Sequence, residues 1–247
     1  MSLTLKTGDN DFEKLAVGIY HSTCFRMVDL GTQDTEYNGE KSKKKQIRLD
    51  FEITEAVDPD NNEVNMEDGR PFGVSRTYTA SLFESAALRK ELEAWRGKSF
   101  TEEELDGFDV SKLIGCTARV EIGLTQKTQQ FAGGNPKILN LQRPDGGVKK
   151  VATINPQIAF DMSVYCDEFN GNSSAETKAM CDVFHNLTPF VQEMIEKSYE
   201  YRVAVEKDGT PASTEEEIVE EEESNGLADF KTEDKPKEDK SEEDIPF

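Results

Sequence analysis

The sharpest chemistry in the chain lies in its last seven residues, Ser241-Glu-Glu-Asp-Ile-Pro-Phe247. Phe247 carries a ring and an α-carboxylate on one residue, Pro246 restricts the backbone before it, and Ile245 adds apolar area. A receptor for that group needs a small apolar pocket with an Arg or Lys at its lip. Glu242, Glu243 and Asp244 add charge that steers toward a basic rim. Asp244, Ile245, Pro246 and Phe247 therefore read as a partner-binding tip. The plain alternative is an acidic tail with accidental last residues, and a specified tetrapeptide arises there by chance roughly once in 10⁵.

A second constellation is cationic. Lys41, Lys43, Lys44, Lys45 and Arg48 form the densest basic cluster, with Tyr37 just before it. Lys127 and Phe131 lie in a glycine-bearing stretch, 125–137, while Arg26, Arg76 and Tyr78 fall on strand-like segments. Cations that track a backbone, with rings on which bases stack, are what a single-stranded nucleic acid requires. Two other readings stand beside this one. A lysine run also protects a sheet edge, and strand aromatics such as Tyr20 and Tyr78 also pack cores. Phe51 and Trp95 read as core.

The elements that must position these residues follow from periodicity. Residues 15–30 are strand-like, with Gly18 suggesting a bend or bulge. Residues 31–45 read as a polar loop around the turn signal Asn38-Gly39. In 46–53, Ile47, Leu49, Phe51 and Ile53 alternate with Gln46, Arg48, Asp50 and Glu52, which predicts a half-buried strand with outward carboxylates. A third strand is expected over 72–79 and an amphipathic helix over 85–96 with Leu88, Leu92 and Trp95 inward, ended by Gly97. Thr101 with Glu104 has the spacing of a capping box. Strands over 116–124 and 138–141 complete five, and the helical content of 176–202 includes a helix opened by Pro189. Residues 151–175 carry no clear period. The fold class expected is mainly β: a five-stranded OB-fold-like barrel with a helical insertion and C-terminal helices, then a disordered acidic tail. Periodicity alone does not separate it from another small barrel. The expected organisation is a flexible arm over 1–14, a binding domain over 15–205, and the tail over 206–247.

Charge and composition exclude several classes. The net charge is −21, and 206–247 hold 17 acidic and 5 basic residues, too polar to build a core. The body is also acidic, so binding a polyanion requires its charges to be segregated. No apolar run approaches a membrane span, and the N-terminus lacks the apolar core of a signal peptide, which predicts a cytoplasmic protein. The four cysteines and two histidines form no CxxC pair; Cys181 with His185 and His21 with Cys24 are at most half-sites for zinc, and no metal or cofactor is expected. No P-loop, GxSxG or HExxH motif occurs, and an enzyme is not expected.

Asp-Ile-Pro-Phe after an acidic linker resembles the C-terminal tip of bacterial single-stranded-DNA-binding proteins. The body resembles a family of bacteriophage single-stranded-DNA-binding proteins instead. That resemblance rests on Gly18-x-Tyr20, Asp29-Leu-Gly-Thr-Gln33, the lysine-rich segment, and the strand Ile47–Ile53. It extends through Leu88-Arg-Lys-Glu-Leu92-x-x-Trp95-Arg-Gly97, Phe100-Thr-x-Glu-Glu-Leu105-x-Gly107-Phe108, and Leu113-Ile-Gly115. The resemblance covers about residues 15–145 and 241–247. It implies an OB-fold, sequence-tolerant binding of single-stranded DNA in replication, recombination and repair, recruitment of partner enzymes by the tip, no catalysis, and a bacterial host cytoplasm. Two other expectations remain open. One is an acidic protein-interaction or DNA-mimic module; the other is a mediator that anneals complementary strands.

Overall fold

The computed structural model describes residues 14–37, 39–57, 64–124 and 136–206. Residues 1–13 of the arm and 207–247 of the tail, including Asp244 to Phe247, lie outside the described residues, as do Lys127, Phe131 and the side chain of Tyr37.

Two long strands dominate. β1 spans Gly18–Tyr37 and β2 spans Glu40–Ala56, paired antiparallel from Tyr20↔Ala56 to Tyr37↔Glu40. The expected loop over 31–45 is therefore a hairpin arm, and only its tip falls at the Asn38-Gly39 signal. Ladder bonds come from the backbone and need no apolar side chain. The arm is also matched across the strands, Glu36 opposite Lys41 and Asp34 opposite Lys43, pairs that favour the sheet. Gly18 opens β1 rather than bending it, and the irregularities fall at His21/Ser22, Cys24/Arg26 and Asp29/Gly31.

β3 (Gly73–Thr79) pairs with β2, β4 (Thr117–Gly123) with β1, and β5 (Lys137–Gln142) with β4, giving the order β3-β2-β1-β4-β5. A sixth strand, β6 (Ile158–Phe160), lies in the segment without a clear period and pairs parallel with Arg26–Val28 of β1. β1 thus has two neighbours along one edge, β4 beside its first half and β6 beside its middle. No ladder joins β3 to β5 among the described residues. Instead, Arg76 of β3 reaches across and donates from Nη1 to the carbonyls of Leu139 (2.5 Å) and Ile138 (3.3 Å) on β5.

α1 (Ala87–Arg96) lies between β3 and β4 in the chain and buries Leu88, Leu92 and Trp95 against the sheet. Gly97 ends it in the left-handed region at φ 73°, as the sequence predicts. Trp95 is fully buried, 5.5 Å from the Phe51 ring, and its Nε1 donates to Thr117 O at 2.7 Å. α2 (Glu102–Asp106) begins with the expected capping box of Thr101 and Glu104, and a 3₁₀ turn over Val110–Leu113 leads into β4.

A second core joins α3 (Met162–Asp167), α4 (Ala175–His185), α5 (Pro189–Glu196) and α6 (Tyr199–Val205) to β1. Val28 and Leu30 meet Phe160, Tyr165, Phe184, Leu187, Val191 and Ile195 there. Tyr165 stacks on Phe184 at 4.7 Å, and Pro189 opens α5 as expected. Gly31 permits the docking. It has φ 67°, and a Cβ there would lie 2.7 Å from Glu200 Oε2 and 2.8 Å from Ser198 Cβ. None of the described helices is long and apolar enough to cross a membrane.

Candidate nucleic-acid interface

β2 sorts its residues by alternation. Ile47, Leu49, Phe51 and Ile53 enter the first core. The other face carries Arg48, Asp50 and Glu52, with Ser75 and Thr77 of β3 opposite Asp50 and Arg48. Both carboxylates are 3% exposed, so the outward, solvated placement expected from alternation is corrected. A buried charge needs partners, and each has them. Arg26 donates to Asp50 Oδ2 from Nε at 2.6 Å and approaches it with Nη2 at 2.5 Å. Arg48 Nε donates to Asp50 Oδ1 at 2.7 Å, and its Nη2 donates to Ser75 Oγ at 2.5 Å. Two guanidiniums thus share the one Asp50 carboxylate. Glu52 accepts from Ile154 N (2.9 Å), Asn155 N (2.7 Å) and Asn155 Nδ2 (2.6 Å), which fastens the segment before β6 over this end of the face.

Arg76 and Tyr78 face the core side instead. Tyr78 is 4% exposed and donates from its hydroxyl to Glu91 Oε2 at 2.7 Å, so it offers no ring face to a base. Its place in the expected interface is corrected: Tyr78 lies opposite Ile47 and shares that residue's inward direction. Arg76 sits 5.2 Å from the Tyr78 ring and pairs with Glu91 Oε1 at 2.6 Å, in addition to its bonds to β5. Burial raises the Glu91 carboxyl, against the pull of Tyr78 and Arg76, and burial with Glu91 beside it raises the Tyr78 phenol. Arg76 is a structural tie across the β3–β5 gap rather than a free cation.

The lysines occupy the exposed arm. Lys41, Lys43 and Lys45 alternate on one face and Lys44 on the other. Lys45 pairs with Asp29 at 3.1 Å. Asp34, opposite Lys43, is engaged by Arg202 of α6 at 3.3 Å. Among the described residues Lys41, Lys43 and Lys44 have no carboxylate within 4 Å. Lys43 Nζ instead lies 5.3 Å from the centre of the Tyr199 ring. The base of the arm is fixed by Glu200, which accepts from Thr32 N at 2.6 Å and Thr32 Oγ1 at 2.7 Å. Burial opposes ionisation of Glu200, but those bonds and Lys45 hold its carboxyl below the usual range.

The structure thus groups Arg26 with Arg48, and Lys43 with Lys45 beside α6, while Arg76 and Tyr78 point elsewhere. Two exposed rings that lie off any apolar stripe escape the sequence reading. Tyr199 is 47% exposed at the start of α6, and Phe83 is 65% exposed in the turn between β3 and α1. The available signal is an aromatic among polar neighbours, Ser198-Tyr-Glu200 and Ser81-Leu-Phe-Glu-Ser85, off any apolar stripe. His185 Nδ1 lies 2.7 Å from Cys181 O within α4, and no three potential metal ligands cluster among the described residues. Compared with known protein families, with curated proteins and with solved structures, the chain matches none of them.

Proposed function

We propose that this chain binds single-stranded DNA without sequence preference, protects it during replication, recombination and repair, and recruits partner enzymes through its C-terminal tip. In this reading the sheet is an OB-type barrel and performs no catalysis. The observation that carries it is the strand order β3-β2-β1-β4-β5, with α1 inserted between β3 and β4 and Arg76 spanning the remaining gap. In an OB-type barrel the loop between the first two strands helps grip the ligand, and the lysine-bearing arm is the hairpin joining β1 to β2 here. Cationic tracking of phosphate with sequence-tolerant stacking is the chemistry available there.

The DNA-mimic reading draws on a different observation. The body remains acidic, Asp50 binds both face arginines, and acidic residues stand across from Lys41 and Lys43. One titration separates the two. The full chain is titrated against a labelled oligothymidylate at two salt concentrations, with a duplex of equal length as control. Binding of the single strand with log K falling by about 0.7 per neutralised phosphate against log salt supports the proposal. No binding, or tighter binding to duplex, overturns it.

A further inference from the structure

We propose that Tyr199 and Lys43 form a nucleotide clamp for single-stranded DNA, so that the C-terminal helical layer contributes part of the binding surface. The inference deepens the proposed function and rests on it. Three features of the seam between the arm and α6 point the same way.

First, the Tyr199 ring is open. It begins α6 at 47% exposure and takes no part in the Tyr165–Phe184–Tyr201 stack beneath it. A large ring that the second core does not use remains available to a base. Second, Lys43 is directed to that ring rather than to an acid. The carboxylate across the ladder, Asp34, is taken by Arg202 at 3.3 Å, which leaves the Lys43 ammonium 5.3 Å from the ring centre. An ammonium over an exposed ring is a weakly held cation. Turning toward a phosphate would free the ring face for the attached base. Third, the seam is held in place. Glu200, next to Tyr199, takes both the amide and the hydroxyl of Thr32, and Gln33 Nε2 donates to Leu30 O at 2.6 Å and Met194 O at 2.8 Å. The strand and helix that carry the lysine and the ring are therefore joined without a ligand, which lowers the ordering cost of binding. Lys41 and Lys45 on the same strand face extend the cationic track to either side.

Other exposed side chains carry less. Among the described residues no cation lies over the ring of Phe83 or of Phe190, which is 62% exposed on α5. Phe190 is therefore the useful control.

The test is fluorescence anisotropy of a labelled oligothymidylate with full-length variants, checked for folding by circular dichroism. Tyr199→Ala should weaken binding about 5- to 50-fold, within the range seen for loss of one stacking ring. Tyr199→Phe should stay within about 2-fold, and Phe190→Ala should match the parent. Lys43→Ala should weaken binding and reduce the salt slope. In the double variant the two losses should be less than additive, since one nucleotide is lost in both. A bromodeoxyuridine-substituted strand should photo-crosslink to the peptide containing Tyr199. If the parent binds the oligonucleotide and Tyr199→Ala binds equally well, the clamp is overturned while the proposed function stands. If the parent binds no single strand, the proposed function fails and the clamp with it.

Discussion

Asp50 is the residue on which the candidate face turns. Its carboxylate, 3% exposed, is the common partner of Arg26 and Arg48, whose side chains are 15% and 18% exposed. Removing its charge while keeping its shape leaves two half-buried guanidiniums against a neutral amide. Asp50→Asn should therefore destabilise the fold by about 3 kcal/mol, the lower end for breaking a buried pair. Urea unfolding measures the loss. If the face binds DNA, phosphate would replace the missing charge. Saturating oligothymidylate should then raise the unfolding midpoint of Asp50→Asn more than that of the parent. Equal shifts would mean that the two arginines do not meet the ligand. Tyr78 makes the opposite case. Tyr78→Phe removes the hydroxyl that donates to the half-buried Glu91, at a cost of about 1–2 kcal/mol. It should leave oligonucleotide affinity unchanged in the same anisotropy assay, because the ring is inside the sheet.

At the scale of elements, the seam between the arm and α6 is governed by Gly31 and Glu200. Gly31→Ala places a Cβ against Glu200 and Ser198 at a positive φ. It should destabilise by about 1–3 kcal/mol through strain alone, read as a lower urea midpoint. Glu200 adds a pH dependence. Its folded carboxyl sits below the ordinary range. The stabilisation from its ionised form is thus complete above an ordinary glutamate pKa of about 4.3 and is lost as pH falls through the lower folded value. Glu91 is raised by burial and has the reverse sign, since protonating it relieves a cost. Comparing Glu200→Gln with the parent isolates the first effect. The parent should lose more stability than the variant between about pH 5 and pH 3, and a parallel loss would assign the acid sensitivity elsewhere. The same elements show what the sequence makes legible. Alternation locates the core of β2, and Leu88, Leu92 and Trp95 locate α1, because each has one apolar face with a clean period. The arm was hidden because both of its faces are exposed and polar, so no period marks it. β6 was hidden because three residues are too short for one. The carboxylates of Asp50 and Glu52 are buried for a reason that no period carries. Alternation tells which residues share a face, but not whether another segment covers it, and the segment that covers Glu52 lies about a hundred residues away.

The whole molecule combines a net charge of −21 with a proposed polyanion ligand, and the position of the tail determines how that conflict is met. Residues 206–247 hold 17 acidic and 5 basic side chains, and they leave the described structure at the end of α6. That helix has seven residues, so it runs about 10 Å from Tyr199 to Val205. The start of the polyanion is therefore roughly one Debye length at 0.1 M salt from the Lys43–Tyr199 seam. Whatever conformation it takes, a tethered polyanion of net −12 is held at high local concentration beside the cations that DNA would use. Deleting 206–247 should then raise affinity for oligothymidylate, more at low salt than at high salt, because screening weakens the competitor first. The gain should shrink in Lys43→Ala, where part of the contested site is gone. Removing Phe247 alone should leave DNA affinity nearly unchanged, since the tail keeps its net charge, while abolishing capture of a tip-binding enzyme. An anisotropy series over salt for the parent, the deletion, and the deletion combined with Lys43→Ala measures both claims. A gain independent of salt would mean that the tail acts by bulk and not by charge. A full gain in the Lys43→Ala background would place the contest away from the arm.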